Sequence, residues 1–347
     1  MTSPSPAPAI RWGILGTARI ATKVGRAISA ARSAELAAIA SRDRARAVDW
    51  IVRHDLGSIS SADQGPAAYG SYEELLADPA IDAVYIPLPP SLHAEWTIKA
   101  AERGKHVLCE KPLATTVSEA RAMAAACRAN GVQLMDGVMW MHHVRTEAMY
   151  RLIEQRSLGA LRRITAAFSF NATDFAPDNI RFQRELGGGV LGDLGWYCVG
   201  AALWAFDELP SRVFATGTYR DDVEISLSGL LWFSRERMAS FDCAFDASTR
   251  KWFEIAGTDA SIVCDDFVNP WEVSKARFWV HDRQGKASQE MFPDCNQEVR
   301  MIERFGDIVR SGTLEPDWGD RAVNTQIVCA ALDRSARSGV PVDIAEL

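Results

Sequence analysis

No two of the seven cysteines, at 109, 127, 198, 243, 264, 295 and 329, form a C-x-x-C pair, and their number is odd. That excludes a zinc knuckle and a disulfide framework, and free thiols in a reducing compartment are expected. A basic stripe is missing too: the net charge is -7 and the Lys and Arg residues are dispersed. This argues against nucleic acid or anionic membrane as partner and leaves a small molecule. No segment is apolar for ~20 residues, the length of a membrane span. The first residues, Thr2-Ser3-Pro4-Ser5-Pro6-Ala7-Pro8, lack the cationic start and apolar stretch of a secretory signal. The expected compartment is therefore the cytoplasm, and residues 1–9 are expected to be a disordered tail. Beyond that tail there is no repeat or low-complexity segment.

What is present is a 347-residue chain, long for a single core, so two domains are expected. From 10 to about 135, short apolar runs alternate with helical periodicity, the pattern of successive βαβ units around a parallel sheet. Strands are predicted at 10–16, 36–41, 68–70, 83–87, 106–110 and 133–136. One helix starts near Ala18, with Ile20, Val24, Ala27, Ile28 and Ala31 on one face. Another starts at Thr116, where Glu119 completes a capping box and Gly131 is the terminator. After about 159 the pattern becomes alternation, clearest where Val223, Ile225 and Leu227 oppose Glu224, Ser226 and Ser228, as in a half-buried antiparallel sheet. Further strands are predicted at 161–171, 212–219, 237–246, 251–256, 260–264 and 277–281. An insertion at 186–206 carries Gly187-Gly188-Gly189 and an apolar helical run, and helices at 297–310 and 320–337 close the chain. The reading is a Rossmann domain with a parallel sheet at 10–137, then an α+β domain with a large open, mostly antiparallel sheet at 138–347. The C-terminal helix packs back on the first domain.

The first strand runs into Gly16-Thr17-Ala18-Arg19-Ile20-Ala21 and then a helix whose free N–H groups can hold a pyrophosphate. The strict fingerprint is G-x-G-x-x-G, and G-x-A-x-x-A is weaker on its own; its place at the first strand–helix turn strengthens it. An NAD site carries Asp or Glu after the second strand. Here Ser41-Arg42 stands there, with Arg44 and Arg46 beyond, and a guanidinium suits a 2'-phosphate, so NADP is expected, with NAD as the alternative. Arg42 also reads as a solvated charge at a helix start.

His106-Val107-Leu108-Cys109-Glu110-Lys111-Pro112 is an apolar strand ending in Glu, Lys and Pro at the carboxyl edge of the sheet, where open α/β folds place ligands. A lysine there can orient a substrate oxygen; on these residues alone a surface Lys beside a helix-starting Pro is the better reading. Asp193 and Tyr197 are four apart and would share a helix face. A phenol titrates near 10 in water, so Tyr197 needs a nearby cation to trade protons at neutral pH. It also reads as a packed helix tyrosine. His142 and His143, being adjacent, point to different faces, and no metal site is expected. Trp140 is a candidate cleft wall and equally a core residue, and Arg181 a candidate substrate grip or a surface arginine.

Gly13-Ile14-Leu15-Gly16-Thr17-Ala18-Arg19-Ile20-Ala21, Ile86-Pro87-Leu88-Pro89-Pro90-Ser91-Leu92-His93 and Glu110-Lys111-Pro112 together closely resemble the Gfo/Idh/MocA family of glucose-fructose oxidoreductases and inositol dehydrogenases. The resemblance implies that Lys111 takes part in catalysis and that Leu88, Pro89 and His93 line the nicotinamide side. Tyr197, where inositol dehydrogenases carry His, resembles the branch of dimeric dihydrodiol dehydrogenase and NADP-dependent D-xylose dehydrogenase, and implies a general acid/base. Ala18 in place of Gly is the one departure.

The expectation is thus an NADP-dependent oxidoreductase acting on CH–OH groups of a sugar, polyol or cyclic diol. Its cofactor residues would be Gly16, Thr17, Ala18, Arg19, Ile20, Ser41, Arg42, Leu88, Pro89, His93, Glu110 and Lys111. Lys111, Asp193 and Tyr197 would be catalytic, with Arg181 and Trp140 at the substrate in a cleft between the domains. Phe241, Cys243 and Phe245 are expected on an exposed sheet face, implying a homodimer or homotetramer. A nucleotide-sensing regulator on the same fold, and a lyase or epimerase using bound nicotinamide transiently, are the alternatives.

Overall fold

The computed structural model describes residues 8–56 and 65–347, so the expected tail lies outside the described residues except for Pro8 and Ala9. Two compact units emerge, each discontinuous in sequence: Met1–Leu113 with Ser118–Gly137 and Gln297–Asp320, and Ala114–Val117 with Val138–Asn296 and Arg321–Leu347.

The first unit alternates β1 (Ile10–Leu15), α1 (Arg19–Ala30), β2 (Ala34–Ala40), α2 (Arg44–Arg53), β3 (Ala67–Tyr69), α3 (Tyr72–Ala77), β4 (Ala83–Ile86), α4 (Pro90–Glu102), β5 (His106–Cys109), α5 (Val117–Ala129) and β6 (Leu134–Asp136). The six strands are parallel in the order β3-β2-β1-β4-β5-β6. The order reverses beside β1, which puts the switch point of a doubly wound sheet at the carboxyl ends of β1 and β4. The strands read as apolar runs because both faces are covered: Trp12, Ile14 and Leu15 on β1 and all of β4 are buried.

The second unit begins with a single 3-10 turn, Met139–His142, then α6 (Val144–Glu154) and β7 (Leu161–Asn171). A π turn at Leu191–Gly195 leads into α7 (Trp196–Phe206), followed by β8 (Arg212–Arg220), β9 (Val223–Trp232), β10 (Met238–Ala244), β11 (Asp246–Gly257), β12 (Ala260–Cys264), β13 (Arg277–Asp282) and β14 (Ala287–Met291). Helices α8 (Gln297–Ser311) and α9 (Asp317–Ser338) and the short β15 (Val342–Asp343) end the chain. The nine-stranded sheet runs β14-β13-β12-β11-β7-β10-β9-β8-β15; β10 and β7 pair in parallel and the other neighbours antiparallel. The run Arg184–Phe206 is long and apolar enough to cross a membrane by length and composition, but 72% of it is buried inside the fold, so it is a core helix. Helix α8 belongs to the first unit: Phe305 packs on Trp12 with ring centroids 4.9 Å apart, and Glu298 and Glu303 pair with Lys23 and Arg32 of α1 and its C-terminus.

Two expectations need correction, and two strands were not expected. The strand predicted at 237–246 ends at Ala244, and Asp246 already starts β11. Phe241, Cys243 and Phe245 are buried rather than exposed. Alternation identifies two faces but not which is covered; here the apolar face of β10 meets α7, and Ser240 and Asp242 face outward. Finally, β14 and β15, short edge strands of mixed polarity, carry no periodicity that would predict them.

Candidate active site

In the first unit β1 ends at Gly16, whose φ of +113° suits only glycine and whose N–H donates to the Ala40 carbonyl at 2.9 Å. A Cβ there would stand 2.9 Å from Leu88, so Gly16 lets the leucine close over the turn. Thr17, Ala18 and Ile20 are half-buried and Arg19 exposed. Ala18 caps α1 with no side-chain hydrogen bond and the first turn holds no acidic residue, leaving the N-terminal amides open to an anion.

Beside this turn the cations fall differently from the expectation. Ser41 is buried, with its N–H bonded to the Tyr69 carbonyl at 3.2 Å. Arg42 is exposed, and Asp43 is occupied as the N-cap of α2, accepting from Ala45 N–H at 2.9 Å. The guanidinium that reaches the turn is Arg46, whose Nε donates to Thr17 Oγ1 at 3.1 Å. Tyr72, missed by sequence reasoning, has its hydroxyl near Gly16 and its ring edge-on to Trp96 at 4.8 Å. Burial pushes its phenol up, with Arg42 and Arg46 pulling the other way. Arg46 lies in the first turn of α2, just past Arg42 in sequence, and that closeness was the available signal.

The carboxyl edge of β4 and β5 carries Glu110 and Lys111. Glu110 is buried; its Oε1 accepts from the Tyr85 hydroxyl at 2.6 Å and its Oε2 from the Lys111 N–H at 3.2 Å. Lys111 is half-buried and precedes a cis bond to Pro112. Pro89 is the N-cap of α4. His93, expected to touch the cofactor, is wholly buried, so it has no surface to offer a ligand. Its Nε2 lies 2.7 Å from the Leu88 carbonyl and its Nδ1 3.0 Å from that of Pro112. Burial holds its pKa below the usual imidazole range, against the pull of those carbonyls. The ring ties the segment over Gly16 to the segment carrying Lys111.

In the second unit Asp193 sits in the π turn and Tyr197 in the first turn of α7. Asp193 accepts from Arg181 Nε at 2.6 Å, and the Arg181 guanidinium lies over Phe170 and Phe175. Tyr197 is half-buried with its ring edge-on to Phe168 at 5.5 Å. Arg181, Asp193 and Tyr197 therefore belong to one local assembly. Trp140 does not: it is wholly buried, edge-on to Trp204, Phe253 and Phe267, so it is a core residue and not a substrate wall. His143 is spent as the N-cap of α6, accepting from Arg145 N–H at 3.1 Å. Among the described residues no three His, Cys, Asp or Glu are grouped to hold a metal ion.

Residues 10–138 match the family described as "Oxidoreductase family, NAD-binding Rossmann fold", and 146–263 match the "GFO/IDH/MocA C-terminal domain". The chain is 37% identical over 335 residues to D-xylose 1-dehydrogenase (NADP(+)) 2 of Haloferax volcanii, covering 96% of this chain and 99% of that one. It belongs to the Gfo/Idh/MocA family of oxidoreductases. Another relative in the family, trans-1,2-dihydrobenzene-1,2-diol dehydrogenase of Xenopus laevis, is 32% identical over 75% of this chain and 76% of its own length. Among solved structures, a 3-ketoreductase from Actinomadura kijaniata in complex with NADP and TDP-benzene superposes with a TM-score of 0.83 at 29% identity, covering 96% and 98% of the two chains. That enzyme has also been solved with one lysine replaced by Ala or by Glu, and with one tyrosine replaced by Phe. The resemblance drawn from three motifs thus holds over nearly the whole length, and the chain is a nicotinamide-dependent oxidoreductase with sugar-metabolising relatives.

Proposed function

We propose that the chain is an NADP-dependent dehydrogenase or reductase acting on a secondary alcohol or ketone of a sugar, polyol or cyclic diol. Lys111 and Tyr197 handle the proton. The observation that carries this reading is Lys111 itself: half-buried at the carboxyl edge of β5, on a backbone held by Glu110 on one side and, through Pro112, by His93 on the other. Such bracing is what a group needs if it is to meet a reacting oxygen within a fraction of an ångström.

The first unit fits a dinucleotide. A Cβ-free turn at Gly16 and the open amides of α1 suit a pyrophosphate, and Arg46 on Thr17, with Arg42 nearby, suits a 2'-phosphate. The bound cofactor supplies a hydride acceptor or donor at its nicotinamide ring. The remaining chemistry falls to the chain. In oxidation Tyr197 takes the hydroxyl proton as hydride leaves the same carbon; in reduction it returns that proton to the carbonyl oxygen. The Lys111 ammonium steadies the oxygen while it carries negative charge. Asp193, held by Arg181, hydrogen-bonds a neighbouring substrate hydroxyl.

We also assign the outward face of the large sheet, where Leu230 and Trp232 on β9, Trp252 on β11 and Trp279 on β13 are half-exposed, to contact between copies of the chain. The activity is tested by titrating tryptophan fluorescence with NADPH and NADH, then following reduced nicotinamide absorbance across a panel of aldoses, polyols and diols. The expected result is tighter NADPH binding, with turnover reduced at least a hundredfold in Lys111→Ala and in Tyr197→Phe while nucleotide binding persists, on the scale of a lost proton-transfer group. Binding of neither nucleotide would remove the cofactor assignment; full turnover in both variants would remove the proton-handling pair.

A further inference from the structure

The alternating pattern of β9 puts Glu224 on the polar face with Ser226 and Ser228, yet its side chain is buried. The register explains the reversal. On β8, Thr218 pairs with Ser226 and the very next residue, Tyr219, pairs with Glu224, so Ile225 is an extra residue in β9. A bulge of this kind re-aims the side chain beside it, and here Val223, Glu224 and Ile225 are all buried.

What the re-aimed carboxyl meets is the entrance to the substrate segment. Glu224 Oε1 accepts from the Leu191 N–H at 3.3 Å, the first amide of the π turn that holds Asp193 and leads to Tyr197. Gly189, with φ of +125°, leaves the space: a Cβ there would fall inside the Glu224 carboxyl group. The Gly189 carbonyl in turn accepts from the Asp193 N–H at 3.2 Å. One carboxyl therefore seats the entry of the turn, bonding Leu191 and packing on Gly189, whose carbonyl takes the Asp193 N–H, and π turns recur where function demands an irregular helix entry.

We propose that Glu224 is a positioning residue for Asp193 and Tyr197, its carboxylate clamping the glycine-rich entry so that the π turn presents both side chains to substrate. The inference rests on the reading of those two residues as substrate-facing. The clamp is titratable in the working range. Burial raises the carboxyl to about 7; Asp333 pushes the same way, and the Leu191 N–H and Arg337 oppose it. The other groups facing it are Cys329 on α9, Cys243 on β10 and Tyr219 of its own hairpin. An ionised carboxylate accepts a stronger hydrogen bond from a helix-entry amide than a protonated one does, so the clamp tightens as pH rises through about 7.

The test uses the full chain, as wild type, Glu224→Gln and Glu224→Asp. Amide hydrogen exchange over 187–197, corrected for intrinsic rate, is measured at pH 6 and pH 8 beside kcat and NADPH affinity. Wild type is expected to gain protection and kcat severalfold between the two pH values. Glu224→Gln should stay at the low-pH level at both, with NADPH affinity unchanged. Glu224→Asp, too short to reach Leu191, should lose protection at both while keeping the fold, and it carries the test if the Gln variant fails to fold. A Gln variant with the wild-type pH course in exchange overturns the inference. Full turnover in Tyr197→Phe with the exchange result intact would instead remove the functional reading and leave the clamp standing.

Discussion

Glu224 also makes a prediction about stability. An unfolded chain ionises this carboxyl around 4.5, the folded one at about 7. The folded state thus keeps a proton that the unfolded state releases, and the resulting stability is fully present below about 4.5 and lost as pH rises through about 7. At about 1.36 kcal/mol per pKa unit the whole shift corresponds to about 3 kcal/mol, of which about 2.5 kcal/mol falls between pH 5 and 8. Glutamine has nearly the shape of the protonated acid and cannot ionise. Glu224→Gln should therefore match wild type near pH 5 and exceed it at pH 8, by up to about 2.5 kcal/mol or on the order of 5 °C in melting temperature. Thermal melts of the two proteins at pH 5, 6, 7 and 8 measure it. A difference between them that does not grow with pH, or that favours wild type at pH 8, would refute the reasoning, because the carboxyl would then be solvated or better paired than its surroundings allow.

Two further outcomes follow from other parts of the fold. Arg42→Ala and Arg46→Ala should each weaken NADPH by about 10- to 100-fold, the scale of one lost charge-assisted hydrogen bond of about 1.5–3 kcal/mol, while leaving NADH nearly unchanged; fluorescence titration reads both, and equal loss for the two nucleotides would take the guanidiniums away from the 2'-phosphate. Trp252→Glu, at the middle of the outward sheet face, should convert an assembly of copies to monomer in light scattering after size exclusion, and a mass unchanged from wild type would move the contact elsewhere.

The parallel sheet was readable because its strands are covered on both faces and so appear as short, nearly uninterrupted apolar runs; 83–87 and 106–110 fall on Ala83–Ile86 and His106–Cys109 within a residue. The long antiparallel strands were readable by alternation, as at Leu161–Asn171. Alternation fails, however, where a strand gains a residue. Glu224 read as a surface residue because a bulge inverts its direction, and the bulge is set by pairing with Tyr219, not by anything in β9 alone. Phe241 and Cys243 failed for a different reason: period two does not say which face a helix will cover. Trp140 read as a site residue by its neighbourhood in sequence and His93 by the family resemblance, whereas three-dimensional packing places the first in an aromatic core and the second between two backbone carbonyls.

The candidate segments, one in each unit, share one construction. The groups assigned to chemistry, Lys111 and Tyr197, are half-buried, and each stands on a segment held by a buried polar side chain that touches backbone: Glu110 and His93 behind Lys111, Glu224 ahead of Tyr197. A buried carboxyl or imidazole costs stability unless its partners are in place, so these residues are expensive ways to hold a loop if holding is all they do. Backbone contacts give them a specific use, since they set the path of a segment without occupying the reacting surface. Sequence motifs expose the reacting residues because their type and spacing are constrained by chemistry. The supports are constrained only by where distant strands bring them, and so Glu224 becomes visible only once β8 and β9 are paired.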